Sequence, residues 1–309
     1  MEERLKWYQR ICLELFWMLC LVISILPRLV RYYILKPIIG ILLICSHYRY
    51  RVIFTNLSNA FPNKSTGEIK LIVRRYYMFL AEVVVDIISL AGASEKRKDK
   101  AVDWVNAKEV SAVTEGKDWI ATGAHYGCWE YLPMWSRNQL GSTFMSVYHP
   151  LKNTVFDVFF LRLRRLSNNI VPVPMKSTFS YYFKNRNKGV ILGLLSDQSP
   201  ALTADTHWFR FLNQDTAFID GSESIALKYK LPIYFAYTRR VAPGRYTVSM
   251  EEIYNGKDEL AKHEITGRYA KMLEKMIMET PHLWMWSHNR WKHTPQKQIQ
   301  FFGKSTLEQ

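Results

Sequence analysis

The stretch WIATGAHYGCWE, residues 119–130, combines the pattern of a buried strand with a histidine and a carboxylate just beyond its end. Its first part, Trp119–Gly123, is a short apolar run that ends in glycine, which is typical of a buried strand. His125 follows this strand almost directly, and Glu130 comes five residues later. A histidine and a carboxylate at the end of a strand can act as a general base and the acid that orients it.

The spacing of this pair predicts how the two side chains would meet. Residues five apart in a helix point about 140° apart, so they would not meet inside one helix. We expect His125 in the turn after the strand and Glu130 in the first turn of the next helix, with Gly123 and Gly127 permitting a tight turn. Glu130 would then hold one imidazole nitrogen and leave the other free to accept a proton. The alternative is a buried histidine with a glutamate that stabilises a helix start.

The rest of the chain alternates between strand and helix patterns. Ser65 and Glu68 have capping-box spacing, and the apolar residues after them repeat at helical intervals until Gly92. The charged residues 94–100 predict a loop. Predicted strands are Trp119–Gly123, Ser142–Tyr148, Gly189–Leu195, Ile233–Thr238 and Tyr246–Met250, and predicted helices are Tyr131–Gln139, Thr154–Leu166, Ser222–Tyr229 and Glu264–Glu279. This alternation predicts an α/β fold with a mostly parallel central sheet flanked by helices.

The N-terminal segment is the most apolar part of the chain. The run LFWMLCLVISIL, residues 15–26, stops at Pro27, and a second run from Ile34 to Cys45 is broken by Pro37. Both are shorter than the roughly 18 apolar residues of a clear membrane span. We predict membrane-anchoring helices over residues 1–47, one spanning or deeply embedded and one interfacial, and an α/β domain over residues 48–309. A cleaved signal peptide is disfavoured because no small-x-small cleavage site follows the first run, and a helical hairpin in a soluble core is the other alternative.

Composition narrows the class of partner. The chain has 309 residues, a formal net charge of +15 and a pI near 9.6, which favours anionic partners such as a phospholipid surface, a phosphorylated substrate or a nucleic acid. Nucleic acid is disfavoured because the basic residues are spread through apolar, membrane-like sequence. The four cysteines form no C-x-x-C pair, which argues against a disulfide framework and a zinc site.

Motifs of several enzyme classes are absent from the sequence. It contains no H-E-x-x-H, Walker-type, G-x-G-x-x-G or G-x-S-x-G pattern, which argues against a zinc protease, a P-loop enzyme, a dinucleotide-binding fold and a serine hydrolase. Cys128 lies inside the histidine motif, but its neighbours Gly127 and Trp129 supply no positive charge to activate a thiol. A nucleophilic Cys128 is therefore disfavoured.

Further polar residues follow other predicted elements. Arg162, Arg164 and Arg165 lie within four residues, so at most one or two of them can serve a phosphate or oxyanion site; a solvated basic helix face is the alternative. Asp197 and Gln198 end an apolar strand and are expected to point into the ligand crevice of a parallel sheet, although an aspartate here also suits a turn. The segment WMWSHNRWK, residues 284–292, either lines the site or anchors the last helix; its last seven residues, 286–292, are called the WSHNRWK segment below.

Five blocks in this order resemble the bacterial lipid A biosynthesis (late) acyltransferase family, within the lysophospholipid acyltransferase-like superfamily. The resemblance runs from about Tyr48 to Pro295. Its blocks are Tyr48–Pro62 (with YRYR, NL and AFP), the GAHYGCWE stretch with its H-x4-E core, Tyr148–Arg165, Asp197–Gln198 and the WSHNRWK segment. The chain departs from the family pattern at Cys128, Ser199 and Asn289.

The resemblance implies a glycerol-phosphate acyltransferase-like fold and a reaction. It implies O-acyl transfer from an acyl carrier protein thioester to a hydroxyl of an anionic glycolipid, a lipid A precursor, with no metal and no cofactor. The site would face the cytoplasm at the inner (cytoplasmic) membrane, in contact with membrane phospholipid. His125 would be the general base and Glu130 its partner, and the expected substrate-binding residues are Arg164 as first choice, Arg162, Asp197, Gln198, His288 and Arg290. Two alternatives are an acyltransferase for another lipid, such as an aminolipid or a phosphoinositol mannoside, and a non-catalytic basic membrane-binding protein.

Overall fold

The strands of the protein lie in two sheets. The computed structural model describes residues 5–138, 142–167 and 169–303. In those ranges the strands are β1 (Val102–Trp104), β2 (Trp119–Gly123), β3 (Thr143–Tyr148), β4 (Ile170–Pro174), β5 (Val190–Leu195), β6 (Trp208–Phe211), β7 (Gln214–Ala217), β8 (Ile233–Ala242) and β9 (Arg245–Tyr254).

The central sheet has seven strands in the order β1-β9-β8-β2-β5-β3-β4. Only β8 and β9 pair antiparallel; every other neighbouring pair in this sheet is parallel. Strand β2 lies in the middle, and all five of its residues are buried. The predicted α/β fold with a mostly parallel sheet is confirmed. Strands β6 and β7 form a separate hairpin.

Helices cover both faces of the sheet and make up the N-terminal segment. The α-helices are α1 (Trp7–Ile25), α2 (Arg28–Val30), α3 (Lys36–Cys45), α4 (Tyr50–Ala60), α5 (Thr66–Leu90), α6 (Glu95–Asp99), α7 (Ala107–Thr114), α8 (Thr154–Arg164), α9 (Thr178–Asn185), α10 (Gly221–Tyr229), α11 (Glu264–Glu279) and α12 (Pro295–Phe302). A π-helix spans Arg31–Leu35, and 3₁₀ helices span Trp129–Asn138, Met175–Ser177 and Pro281–Leu283.

Several predicted elements differ from the structure in type. The predicted capping box at Ser65 is present at the start of α5. The predicted loop at 94–100 is wrong, because Glu95 and Lys98 form an ion pair one turn apart and residues 95–99 are helical. The predicted helix from Tyr131 is a 3₁₀ helix that contains Pro133, whose ring nitrogen cannot donate the bond that an α-helix needs. Its predicted end, Gln139, lies outside the described residues.

The N-terminal segment contains one helix, α1, that is long and apolar enough to cross a membrane. The prediction that Pro37 breaks the second apolar run is wrong. Residues 28–45 stay helical because the π-helix comes first and Pro37 lies in the first turn of α3, where its missing N–H is tolerated. These helices and α4 form a bent apolar pair, with an angle of 90° between the two arms.

Helix α5 binds the N-terminal segment to the sheet through two buried acids. Glu82 accepts from the guanidinium of Arg240 at 2.6 and 2.8 Å and from the ammonium of Lys36 at 2.6 Å. Asp86 accepts hydrogen bonds from the hydroxyls of Tyr32 and Tyr246. The described part of the N-terminal segment, residues 5–47, is thus docked on the α/β unit by specific polar contacts, and the domain boundary at residue 47 stays a prediction.

The opposite face of the N-terminal segment is exposed and apolar. Helix α1 packs on α8 through Phe16 and Trp17, whose rings lie 5.0 and 5.9 Å from that of Phe159. The large hydrophobic side chains that remain exposed within residues 5–47 are Trp7, Tyr8, Ile11, Leu15, Met18, Leu19, Val22, Ile25, Leu29, Tyr33, Ile34, Ile38, Ile41 and Leu42. A continuous apolar surface of this kind marks an interaction site for membrane or protein.

Replacing Glu82 by alanine should destabilise the whole fold. Glu82→Ala leaves the partly buried Lys36 and Arg240 without their anion, and breaking such a pair typically costs about 3 kcal/mol. Thermal unfolding in detergent, followed by circular dichroism, should show a clearly lower midpoint. The exposed Glu259→Ala is the matched control, and an unchanged midpoint for Glu82→Ala would contradict the role given to this cluster.

Candidate active site

The parallel pairing of β2 with β5 brings His125 to Asp197. Gly123 and Leu195 are register partners at the ends of the two strands, and each chain then continues by two residues to a polar side chain. The Nδ1 atom of His125 lies 2.7 Å from Oδ1 of Asp197. The backbone N–H of His125 also donates to Oδ2 of Asp197 at 3.0 Å. The imidazole is therefore held by an aspartate from the neighbouring strand.

Asp197 is buried and bonded on both oxygens. Only 2% of its surface is exposed, and Trp284 Nε1 donates to Oδ2 at 2.9 Å. Burial by itself raises the pKa of Asp197, but the charge of His125 and the three hydrogen bonds outweigh it and hold the pKa below its ordinary value of 3.8. These contacts stabilise the fold above that value and are lost when acid protonates Asp197. The carboxylate accepts the proton on Nδ1, so in the neutral imidazole the lone pair is on Nε2.

Glu130 holds Arg164 and not His125. Its two carboxylate oxygens accept from Nη2 and Nε of Arg164 at 2.6 and 3.0 Å, and 4% of its side chain is exposed. The prediction that Glu130 orients the imidazole is wrong. The 3₁₀ helix starts at Trp129, whose ring packs against His125, and this turns Glu130 towards the end of α8.

Arg164 combines a fixed position with free donors. A guanidinium carries five N–H donors, of which Glu130 engages two, and the group also stacks near the rings of Tyr148 and Phe160. Burial lowers the pKa of Arg164, but the charge and hydrogen bonds of Glu130 raise it overall, so the group keeps its charge. The remaining N–H groups are available to a phosphate or an oxyanion.

A cavity of about 500 Å³ opens beside these pairs. His125, Glu130, Arg164 and Gln198 line it, together with Val147, Leu151, Phe160, Met175, Phe179, Leu194, Leu195, Ile219, Ile225 and Met285. Its size lies within the range of roughly 300–1,000 Å³ of small-molecule sites. The amide nitrogen of Gln198 lies 3.3 Å from Nε2 of His125, so the lone pair of the imidazole points to the cavity side.

Three further predicted site residues, two arginines and a histidine, lie outside the lining of this cavity. Arg162 pairs with Glu14 at 2.6 Å and covers the ring of Trp17, so it fastens α1 to α8. Arg290 is buried and donates to the carbonyl oxygen of Ala217 at 2.6 Å. Neither arginine is among the residues that line the cavity.

His288 lies behind the site and not in its lining. Burial, followed by the charge of Arg290, lowers its pKa to about 4 against the opposing charge of Asp197. It is therefore neutral at physiological pH, and its buried Nδ1 has no hydrogen-bond partner in the part of the chain that the structure describes.

Two site residues were covered by sequence reasoning only as parts of longer segments, Trp284 in 284–292 and Asp157 in 148–165, and neither received a role of its own. Trp284 bonds Asp197, and residues 283–285 pair with the backbone of residues 125–127. Asp157 lines the cavity and accepts from the backbone N–H of Leu151 at 2.8 Å. The signal for Asp157 is a buried acid on the apolar face of a helix, whereas nothing local marks Trp284 as a partner of a residue 87 positions away.

The family profile for bacterial lipid A biosynthesis acyltransferases matches residues 3–293. The chain belongs to this family. No curated protein matches it at a significant level. Family membership makes the protein an acyltransferase, and the site described above is where its chemistry is expected.

The geometry around Cys128 disfavours a covalent acyl-thiol step in this acyltransferase. Cys128 is buried, and burial, together with the nearby charges of Asp86 and Glu130, raises the pKa of its thiol well above the ordinary value. The thiol stays protonated at neutral pH and is a poor nucleophile. It is also absent from the lining of the 500 Å³ cavity.

Asp197→Asn should remove most of the acyltransferase activity. The amide oxygen would turn towards the Trp284 and backbone N–H donors, which places the amide NH₂ against Nδ1. The imidazole then adopts the other tautomer, with its proton on Nε2, and cannot act as a base. We expect kcat to fall by about 10²–10⁴-fold, the usual contribution of a general base.

Activity and thermal unfolding should be measured side by side for this variant. The exposed Asp205→Asn is the control for the same chemical change. A kcat for Asp197→Asn within a few-fold of the unmodified protein would show that Asp197 does not set the tautomer.

Proposed function

We propose that the protein transfers a fatty acyl chain from an acyl carrier protein thioester to a hydroxyl of a lipid A precursor, without an acyl-enzyme intermediate. The observation that carries this proposal is the His125–Asp197 pair, which faces a largely apolar cavity beside a charged arginine. The family assignment supports the reaction type; the donor and the acceptor are part of the proposal.

His125 acts as the base in this mechanism. The acceptor hydroxyl replaces the amide of Gln198 at Nε2 and gives up its proton while its oxygen attacks the thioester carbonyl carbon. The tetrahedral intermediate collapses, the carbon–sulfur bond breaks, and the carrier thiolate takes the proton from Nε2. Asp197 stabilises the imidazolium that forms between the two transfers.

Arg164 acts as the cation of the site and Glu130 positions it. The donors that Glu130 leaves free bind a phosphate of the acceptor or the developing oxyanion, and either role suits a preorganised guanidinium. The apolar part of the lining, which includes Phe160, Phe179 and Ile225, takes the acyl chain. Both substrates are anionic, which agrees with the net charge of +15.

The position of the N-terminal segment indicates which side of the site faces the membrane. Helix α1 lies against α8, and α8 ends at Arg164. Leu151, Met175 and Phe179 line the cavity and are also exposed to the outside. We place these apolar surfaces at the cytoplasmic face of the inner membrane, where a lipid acceptor reaches the cavity from the bilayer.

His125→Ala should strongly reduce acyl transfer, and a panel of acceptor lipids should identify the acceptor. Purified protein in phospholipid vesicles is given an acyl-acyl carrier protein and, in parallel, a lipid A precursor, an aminolipid or a phosphoinositol mannoside. We expect transfer to the lipid A precursor, lowered at least about 10²-fold in His125→Ala and unchanged in His293→Ala.

Each other outcome of this assay has a definite meaning. Preferred transfer to another lipid replaces the proposed acceptor. Transfer by His125→Ala at the rate of the unmodified protein refutes the base, and a protein inactive with every acceptor is a membrane-binding protein without catalysis.

A double-mutant cycle should separate the roles of Glu130 and Arg164. If Glu130 acts by holding Arg164, each alanine variant loses activity and the double variant is no worse than Arg164→Ala. The exposed Arg165→Ala is the control for loss of a nearby charge. Losses that multiply in the double variant would assign Glu130 a role of its own in the reaction.

A further inference from the structure

A second, strongly cationic cavity lies outside the proposed acyl-transfer site. It has a volume of about 200 Å³ and is bounded by the start of the second N-terminal helix, the end of α5, α6 and the β8–β9 turn. Six basic residues contribute to its lining: Arg28, Arg31, Arg97, Lys98, Lys100 and Arg245. No carboxylate is among the described residues that line it.

Neutral groups hold three of these six cations in place. Arg28 donates to the carbonyl oxygen of Pro243 at 2.7 Å, and Arg31 to that of Leu26 at 3.1 Å. Arg97 donates to the carbonyl oxygens of Ser24 and Ser89. Such bonds fix the guanidinium groups without neutralising them, so three positive charges converge with no balancing anion among these contacts.

The electrostatics agree with this description. Burial and then the charge of Arg31 lower the pKa of Arg97, which means that the two cations repel each other. Lys98 pairs with Glu95 at 2.8 Å. Asp86 lies behind the cavity wall, where its carboxylate is bonded to two tyrosine hydroxyls. A bound anion would relieve the repulsion inside the cavity.

Ser89 gives a second and independent observation. Ser89 is one of the residues that line the cavity, only 4% of it is exposed, and its buried hydroxyl has no hydrogen-bond partner among the described residues. Buried hydroxyls in native structures are nearly always bonded. A phosphate oxygen in the cavity would complete the bonding of Ser89.

The surroundings indicate where such a phosphate comes from. Ile25 and Leu29, next to Arg28, are 77% and 69% exposed, and they continue the apolar surface of the N-terminal segment. The cavity thus lies at the end of the helix that is apolar enough to cross a membrane. Phosphate-binding cations beside an exposed apolar face match a lipid, with its headgroup at the cations and its chains along the helix.

We propose that this cavity is a binding site for the phosphate of an anionic membrane phospholipid, separate from the acyl-transfer site. A smaller cavity of about 30 Å³ lies between the two sites, lined by Leu90 and Lys98 on one side and by Glu130 and Arg164 on the other. The lipid holds the N-terminal segment at the bilayer surface. Through the smaller cavity it also supports the side of the Glu130–Arg164 pair that faces away from the acyl-transfer site.

Charge reversal at the rim of the cavity tests this site. Lys100 and Arg245 are exposed and line the cavity, so Lys100→Glu with Arg245→Glu changes its charge without disturbing buried bonds. Lys96→Glu with Lys257→Glu is the matched control, because both lysines are exposed, lie outside the lining and change the net charge equally. The full chain in neutral detergent is titrated with phosphatidylglycerol, phosphatidylcholine or inorganic phosphate, and binding is read from the thermal unfolding midpoint.

We expect phosphatidylglycerol to raise the midpoint of the unmodified protein and of the control pair. Phosphatidylcholine should not do so, and the Lys100/Arg245 pair should lose at least tenfold in affinity. Ser89→Ala should keep or raise the midpoint of the lipid-free protein and still weaken phosphatidylglycerol binding several-fold. An equal loss in both charge-reversed pairs, or no stabilisation of the unmodified protein, overturns the proposal.

Inorganic phosphate separates the lipid from a free anion. A midpoint shift by inorganic phosphate that phosphatidylglycerol does not exceed would make the cavity a free-phosphate site and overturn the lipid assignment. Acyl transfer is measured separately on the same variants, so failure of this site is distinguishable from failure of the proposed reaction.

Discussion

The register between β2 and β5 is the constraint on which the site depends. Two parallel strands end side by side at Gly123 and Leu195, and the chain beyond each end has only two residues in which to place its functional group. A slip of one residue would turn the side chains of a strand to the other face and would separate His125 from Asp197. The burial of β2 opposes such a slip, because all five of its residues are packed in the core.

The site uses its two carboxylates for two separate tasks. Asp197 receives three N–H donors and sets the tautomer of His125, whereas Glu130 receives the guanidinium of Arg164 in a two-bond contact. The base and the cation are therefore positioned independently, one by the sheet and one by the packing of α8 against the 3₁₀ helix. An arginine with a dedicated carboxylate remains charged and oriented, and an imidazole with a different one remains free to exchange its proton.

Buried carboxylates with dedicated partners also hold the N-terminal segment in place. Glu82 and Asp86 on α5 bind Lys36, Arg240, Tyr32 and Tyr246, so the helices with the exposed apolar face are held to the sheet that carries the site. In the neighbouring cationic cavity Lys98 has such a partner in Glu95, but the guanidinium groups of Arg28, Arg31 and Arg97 are held by carbonyl oxygens instead. The charges around Glu82 and Asp86 are therefore used to hold the fold together, whereas those of the arginines in the cationic cavity are available to a ligand.

Local sequence patterns predict the fold class, the capping of α5, the position of β2 and the placement of His125, Asp197 and Arg164 near strand or helix ends. These follow from local periodicity and from turn chemistry, which act over a few residues. Tertiary structure alone decided which acid meets which base. Five residues separate His125 from Glu130, yet 72 separate it from its actual partner, because strand pairing and the direction of the 3₁₀ helix fix the side chains in space. Likewise, the sequence predicts a helix break at Pro37. In the structure the chain stays helical there, because the π-helix precedes Pro37 and places it in the first turn of α3.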